Sequence, residues 1–580
     1  MLIGGDAIGT VPLGGVGGAG GTPAPEPIPT GVAFTWRDQV VVAGEDMSDI
    51  VSGEVQVDRE RGAAAIADFY LFMADDPNPL EWVGREVAIN YISTAAGETT
   101  SARRFTGRIE ETTWNPLNRL LACACSDQLQ QKVERLTVAE VDALLPCEWS
   151  VDVFEPPEGR SRWEYAEERL STLRASLDCD VYGDLRLSSW YAGAVDYYFG
   201  PDTTVYASVG VTYADLGALT NVVEIEADYR FPRLKQQIER YGWSHPGADG
   251  FSGLPGFCAW RPDSSELPDI DMVRAATEGA GQVMVNASFS RLPPTSPDPC
   301  GTGVAWINTY TELILGGTWG GARRWVQTVT ERYALRLEAP ASIADVGEVI
   351  ARDGSAVEIE SDIADRWEGS LGNRPAGATS EDVEDSEHSD DLRDEARRQL
   401  FLRCLLQQGV TTIVRAHNAT QLSWAVPTSL VLGLDLGATL ELDDQGVKAV
   451  GRCCRLEDRF NKDTGEAMTT VTIAVMRGGG DVADPLDPPP FPVDPQPEPP
   501  GVTPSMSLPT QLGGRDDSGE YDEDKDGFSG NYDNFDATYE RFPRRFSVTA
   551  PEIPAEERDE RIQQVGQTYR VSIPNDLLEL

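Results

Sequence analysis

The residues whose types and spacing suit chemistry lie near the C-terminal end, in YDEDKDGFSGNYD. There Asp522, Asp524, Asp526 and Gly527 fall at positions one, three, five and six of a calcium loop, and Phe528 offers its carbonyl at seven. Alternate carboxylates converge on a hard cation when a glycine turns the chain. Position twelve is Asp533 rather than the bidentate Glu of an EF-hand, and the flanks lack helical periodicity. The spacing therefore predicts a weak calcium loop, set against the plainer reading of a solvated acidic linker.

The remaining chemistry is sparse. No G-x-S-x-G elbow, H-E-x-x-H helix, P-loop or Cys–His arrangement occurs, and no catalytic or cofactor-binding residue is assigned. His417, in VRAHNAT, reads as a capping or packing residue of the second β-rich block. His245, beside Trp243 and Pro246, reads as a loop contact, and His388, in an acidic tract, as exposed. Nine cysteines, an odd number spread over a long chain, fit reduced thiols. By strand alternation Cys123 and Cys125 share a face, whereas Cys453 and Cys454 point to opposite faces. Core packing explains them better than a metal. The 95 acidic residues allow many carboxylate pairs of the glycosidase type, and 13 tryptophans suit a sugar cleft. A virion-borne or secreted polysaccharide hydrolase is therefore one alternative. A calcium-stabilised acidic surface protein is another, and it would need an export signal that MLIGGDAIGTVPLGG does not provide.

Charge narrows the partners. Against 95 acidic residues stand 48 basic ones, a formal net charge of −47. Such a surface repels phosphate backbones and anionic lipids, so specific nucleic-acid binding is not expected. No apolar run reaches the ~18 residues of a membrane helix. The chain is expected to be made in the cytosol.

The elements that must position these residues are mostly strands. Residues 1–30 form an extended Gly/Pro-rich arm. From 31 to 128 short alternating segments separated by turn residues predict an antiparallel β-barrel domain. Its clearest hairpin is RFTGRIEETTWNPLNRLLACACSD: Phe105, Gly107 and Ile109 take one face, Thr106, Arg108 and Glu110 the other. The return strand puts Leu121, Cys123 and Cys125 together. Residues 129–230 read as α+β, with a helix through Ala166, Leu170, Leu173 and Leu177, a hairpin around Gly183, and a two-sided strand from Asn221 to Arg230. A mixed region, 231–424, holds a long strand, Arg324 to Glu338, near 50 Å at about 3.3 Å per residue. It also holds an acidic tract leading into a helix with Leu392, Ala396, Leu400 and Cys404 on one face. Residues 425–480 predict a second β-barrel domain, 481–504 a Pro-rich linker able to bridge about 65 Å, and 505–580 an acidic extension that docks on a partner or on the body.

The fold class is thus mainly β with α+β insertions: two tube-like antiparallel barrels, a mixed middle and extended terminal arms. With the opening MLIGGDAIGTVPLGG, FTGRIEE before CACSDQLQQKVER, NVVEIEADYRFPRL with its YGW, and LDLGATLELDDQGVKAVGRCCRLEDRFNKDTGEAMTTVTIAV, the chain resembles the tail-tip and baseplate hub proteins of long-tailed bacteriophages over residues 1 to about 480. The resemblance implies a non-enzymatic homotrimer at the virion tail tip, made in the bacterial host cytoplasm. Its two tube-like domains per copy would match a six-fold tail tube to three-fold tip components. It further implies contacts with tail tube and distal tail proteins and with tip fibre or receptor-binding proteins, around a channel for DNA ejection. No cofactor is implied beyond the candidate calcium.

Overall fold

The computed structural model describes residues 24–215, 217–245, 267–291, 295–296, 306–307, 311–361, 388–480, 482–492, 506–513, 519–531 and 541–580. The protein is mainly β and multidomain, built on two large sheets. The first β-rich unit comprises β1 (Phe34–Val42), β2 (Val51–Glu60), β3 (Ile66–Phe72), β4 (Glu86–Ala95), β5 (Glu98–Asn115) and β6 (Leu120–Ser126), paired antiparallel in the order β2-β3-β6-β5-β4-β1. Alternation sets their inward faces, and Leu121, Cys123 and Cys125 are buried together as the return strand predicts. VAFTW and QVVVA form one continuous strand rather than two.

After β6 the chain turns at Gln128, φ +59°, where Asp127 accepts from the backbone N–H of Leu129 and of Ala65. A small helical layer follows: α1 (Leu129–Glu134), α2 (Val138–Leu144) and α3 (Arg162–Leu170), packed on a hairpin of β7 (Ala175–Cys179) and β8 (Leu185–Ser189). The periodicity through Ala166 overruns its helix. The Ser171 and Thr172 hydroxyls donate to the carbonyls of Glu168 and Arg169, closing α3, and Leu177 belongs to β7.

The second sheet is organised by a ribbon longer than its sequence signal. β9 (Val222–Ser244) pairs antiparallel along its whole length with a later strand, so the two span about 75 Å. Between them lie α4 (Ile270–Gly279) and the edge strand β10 (Val283–Arg291); the partner strand is β11 (Ile314–Glu338), and β12 (Ile350–Glu360) adds in parallel to the start of β9. Val223, Ile225, Ala227 and Tyr229 face inward together with Val329, Tyr333, Leu335 and Leu337, and α5 (Glu395–His417) lies across them. Gly409 permits this approach, because a Cβ there would stand 2.3 Å from Leu337 Cδ1. The buried face of α5 is centred on Phe401, Leu402, Leu405 and Arg398. Leu400, expected inside, is 38% exposed.

The second β-rich unit consists of β13 (Gln421–Pro427), β14 (Thr439–Asp444), β15 (Val447–Asn461) and β16 (Glu466–Ala474), around a core that includes Trp424, Leu440 and Val471. The N-terminal arm enters this core at Ile28, after Glu26 and Pro27 pair with Tyr197 and Tyr198. The C-terminal extension docks on the body. β17 (Thr510–Gly513), β18 (Gly527–Asn531) and β19 (Arg545–Ser547) pack on the far end of the ribbon with Trp243 and Trp319, and β20 (Arg561–Arg570) adds in parallel to β11. The described part of the Pro-rich linker also lies on the body: the Pro489 carbonyl accepts from Arg398, and Arg393 sits between the Phe231 and Phe491 rings.

Candidate functional site: the seam between the two β-rich units

The two β-rich units share one sheet. β2 pairs with β15 from Glu54↔Asn461 to Glu60↔Arg455, so the ladder runs from one unit into the other. The turn of the β15–β16 hairpin then reaches the opposite edge of the first unit. Trp36 Nε1 donates to the Gly465 carbonyl at 3.0 Å, while Lys462 Nζ donates to the Ser48 carbonyl at 2.7 Å and pairs with buried Asp38 at 3.2 Å. Phe460 and Ala467 enter the first unit's core, where Phe460 lies 5.0 Å from the Tyr91 ring. A hairpin of the second unit is therefore the stave that closes the first.

Two β-bulges make this possible. Along β15 the buried positions run Ala449, Gly451, Cys453 and then Cys454, Leu456, Asp458, Phe460, because the register against β16 jumps at Cys454. Both vicinal thiols are thus buried, which corrects the expectation of opposite faces. The extra residue re-phases the strand, so that Ala449, Cys453 and Leu456 serve the second unit's core and Phe460 the first unit's. In β5 the register against β4 skips Arg104, which turns inward beside Phe105. Strict alternation places Arg104 outside with Thr106 and Arg108.

The inward-turned groups meet. Arg104 Nε and Nη2 donate to the two Asp458 oxygens at 2.8 and 2.6 Å, with 1% and 0% of the side chains exposed. Thr469 Oγ1 donates to Asp458 Oδ1 at 2.6 Å. Burial alone would push the Asp458 carboxyl up; the Arg104 and Arg59 charges outweigh it and hold it below the usual carboxylate range. Nearby, Asp435 bridges Arg59 and Arg186 at 2.5 and 2.6 Å, and Arg186 also holds Asp178 at 2.6 Å. Asp435 is likewise held low by these cations against the effect of burial, whereas burial dominates at Asp178 and raises it. Arginine suits two of these positions: the planar fork of Arg104 takes both oxygens of Asp458, and that of Arg186 spans one oxygen each of Asp178 and Asp435. The network locks two units; it offers no nucleophile beside a free base.

The residues singled out from the sequence are dispersed. Asp526 accepts from the Thr549 N–H and hydroxyl at 2.8 and 3.0 Å, and Asp522 accepts from the Asp524 N–H at 3.1 Å. Phe528 is buried against Trp243. Gly527, at φ +102°, lets the chain pass the Pro509 carbonyl, which a Cβ would meet at 2.0 Å. Asp533 lies outside the described residues. Among the described residues, no group of three or more His, Cys, Asp or Glu is arranged to hold a metal. His417 packs at the end of α5 rather than within the second β-rich unit: Nδ1–H donates to the Ile413 carbonyl and Nε2 accepts from the buried Ser342 hydroxyl, each at 2.8 Å. His245 is buried at the ribbon's far end, and the side chain of His388 lies outside the description. Burial raises the thiols of Cys123, Cys179 and Cys404 to about 12 and that of Cys454 to about 11, so they are protonated packing groups. A shallow recess beside Phe34, Thr203 and Leu430 has Asp202 as its one carboxylate. Among the described residues, no helix is long and apolar enough to cross a membrane.

No family model matches this chain, nor does any curated protein. Among solved structures it is similar to the tail protein from Neisseria meningitidis MC58, at 10% identity and a TM-score of 0.32 over 76% of this chain and 96% of that one. It is also similar to the 43 kDa tail protein of prophage MuSo2 from Shewanella oneidensis, at 9% identity and 0.33 over 76% and 98%. A component of the Escherichia coli type VI secretion system, itself described as structurally similar to T4 bacteriophage tail proteins, matches at 8% identity and 0.23 over 79% and 81%.

Proposed function

We propose that this chain is a structural, non-enzymatic hub of a phage-type tail tip. Three copies would form a ring whose six β-rich units meet a six-fold tail tube, while the ring keeps three-fold symmetry for tip fibre or receptor-binding proteins below. The observation that carries this reading is the shared stave. Because β15 and β16 complete the first unit as well as the second, the spacing and tilt of the two units are fixed within each copy, which is what imitation of a regular hexagon demands.

Two further features support it. The outer face of β3 leaves Ile66, Tyr70 and Phe72 exposed around Asp68, beside half-buried Ala122 and Ala124 of β6, a largely apolar surface with one carboxylate for a neighbouring copy. The charge of −47 suits a conduit along which DNA slides without sticking. Native mass measurement of the full chain tests the proposal. A species at three times the 63.1 kDa chain mass, ring-shaped by electron microscopy, is the expected result. A stable monomer at about 10 μM, above the micromolar-to-picomolar dissociation constants of standard-sized protein interfaces, overturns it, as does glycan-cleaving activity from a monomer.

A further inference from the structure

Four guanidiniums crowd one part of the seam. Arg59 is fully buried with Nη1 on Asp435, while its Nε and Nη2 meet no acceptor of the protein. Arg186 takes the other Asp435 oxygen and Asp178, and leaves its buried Nη2 unmatched. Arg61, whose backbone N–H donates to the Cys454 carbonyl at 2.8 Å, buries Nη1 without an acceptor. Arg452, two residues before that bulge, reaches only Thr439 Oγ1 at 3.3 Å from Nη1 and keeps Nε buried and unmatched. The Arg452 fork lies against the loop that carries Asp435: a Cβ on Gly437 would stand 3.4 Å from Arg452 Nη2 and 3.9 Å from Ser188 Oγ.

The local charge is unbalanced. Four cations face the carboxylates of Asp178, Asp435 and, on the Arg452 side, Asp196; adding the neighbouring Arg104–Asp458 pair, whose charges also reach Arg59, leaves one cation in excess, in a chain that is otherwise strongly acidic. Buried donors without acceptors and buried charge without a counter-charge both cost free energy, and arginine forks match oxyanions in shape. The geometry points to an oxyanion-binding site formed by Arg59, Arg61, Arg186 and Arg452, taking the oxygens of a free phosphate-type anion or of a carboxylate from a second copy of this chain. The partly exposed side chains of Arg186 and Asp435, at 26% and 31%, form its mouth. The site goes beyond the hub reading and does not depend on it.

Thermal unfolding of the full chain in sodium phosphate against sodium chloride at matched ionic strength, at two protein concentrations, tests this. Expected is a saturable rise in Tm specific to phosphate, of about 1 °C at ten times the dissociation constant and about 2 °C at a hundred times. The rise is lost in Arg452→Gln and kept in Arg459→Gln, whose guanidinium pairs with Glu457 on the surface. Equilibrium dialysis of phosphate, read as uptake per chain, serves where Arg452→Gln itself lowers Tm. Half-saturation that moves to higher phosphate as protein concentration rises identifies a competing carboxylate of a second copy; half-saturation independent of it identifies the free anion. Equal responses to phosphate and chloride without uptake, or uptake unchanged in Arg452→Gln, overturns the assignment.

Discussion

Replacing Arg104 by methionine tests whether the seam is held as described. The substitution keeps a long apolar stem but removes two hydrogen bonds, at 2.8 and 2.6 Å, from a carboxylate with no solvent exposure. Asp458 is then left with the Thr469 hydroxyl and the more distant Arg59 charge. Breaking one partner of a buried pair costs about 3–5 kcal/mol, because the remaining charge is stranded. The pH dependence has a definite sign. In the parent the Asp458 carboxyl is depressed on folding, so its contribution is complete above an unfolded pKa of about 3.9 and drains away as pH falls through the folded value. In Arg104→Met, burial prevails and the folded value rises above the unfolded one, so the variant loses stability as pH climbs. Urea unfolding followed by tryptophan fluorescence, at about pH 7 and at about pH 4.5 near that unfolded value, measures both. The expected deficit is large at neutral pH and narrower in acid, and Arg104→Met/Asp458→Leu recovers most of it. A single-variant cost below about 1 kcal/mol, the level of an exposed ion pair, or a deficit that grows on acidification, refutes the reasoning.

Burial pushes the His245 imidazole down to about 4 at the far end of the ribbon. A histidine depressed on folding stabilises fully above its unfolded pKa of about 6.5 and loses that contribution, about 3 kcal/mol, as pH drops towards 4; His245→Gln should flatten this slope in a pH series of unfolding curves, and an unchanged slope counts against it. For the Asp522 loop, calorimetric titration should show calcium uptake only in the weak class, about 10⁻⁴–10⁻³ M, lost in Asp524→Asn; its persistence in that variant would place any bound ion elsewhere.

The sequence carried the units better than the join between them. Alternation identifies Leu121, Cys123 and Cys125 because one buried face imposes period two on neighbouring residues. The same rule fails at Cys454 and Arg104, where an extra residue re-phases the strand and nothing local marks it. In and just before α5 apolar periodicity finds Cys404 and Leu392, which are buried, but not the turn of the face that leaves Ala396 and Leu400 exposed. Arg398 is drawn inside by Glu395, the Tyr333 hydroxyl and the Pro489 carbonyl, partners that come from its own first turn, the ribbon and the linker. Apolar periodicity cannot anticipate a buried cation. The ribbon's length was legible only in its second half, since Gly316, Gly317, Gly320 and Gly321 blur the pattern where β11 runs past β10.

The two bulges also explain why a charged pair, rather than an apolar contact, sits at the seam. Arg104 and Asp458 are 354 positions apart, and each faces inward only because its own strand is bulged. A slip of β15 by one residue against β2 would turn Asp458 out and bring Glu457 or Arg459 towards the core, leaving Arg104 buried without a counter-charge. An apolar pair would penalise that slip less, since no buried charge would lose its counter-charge. The pair therefore selects a single register between the two units at little net gain in stability, and register is the quantity a ring built from paired units has to hold constant from copy to copy.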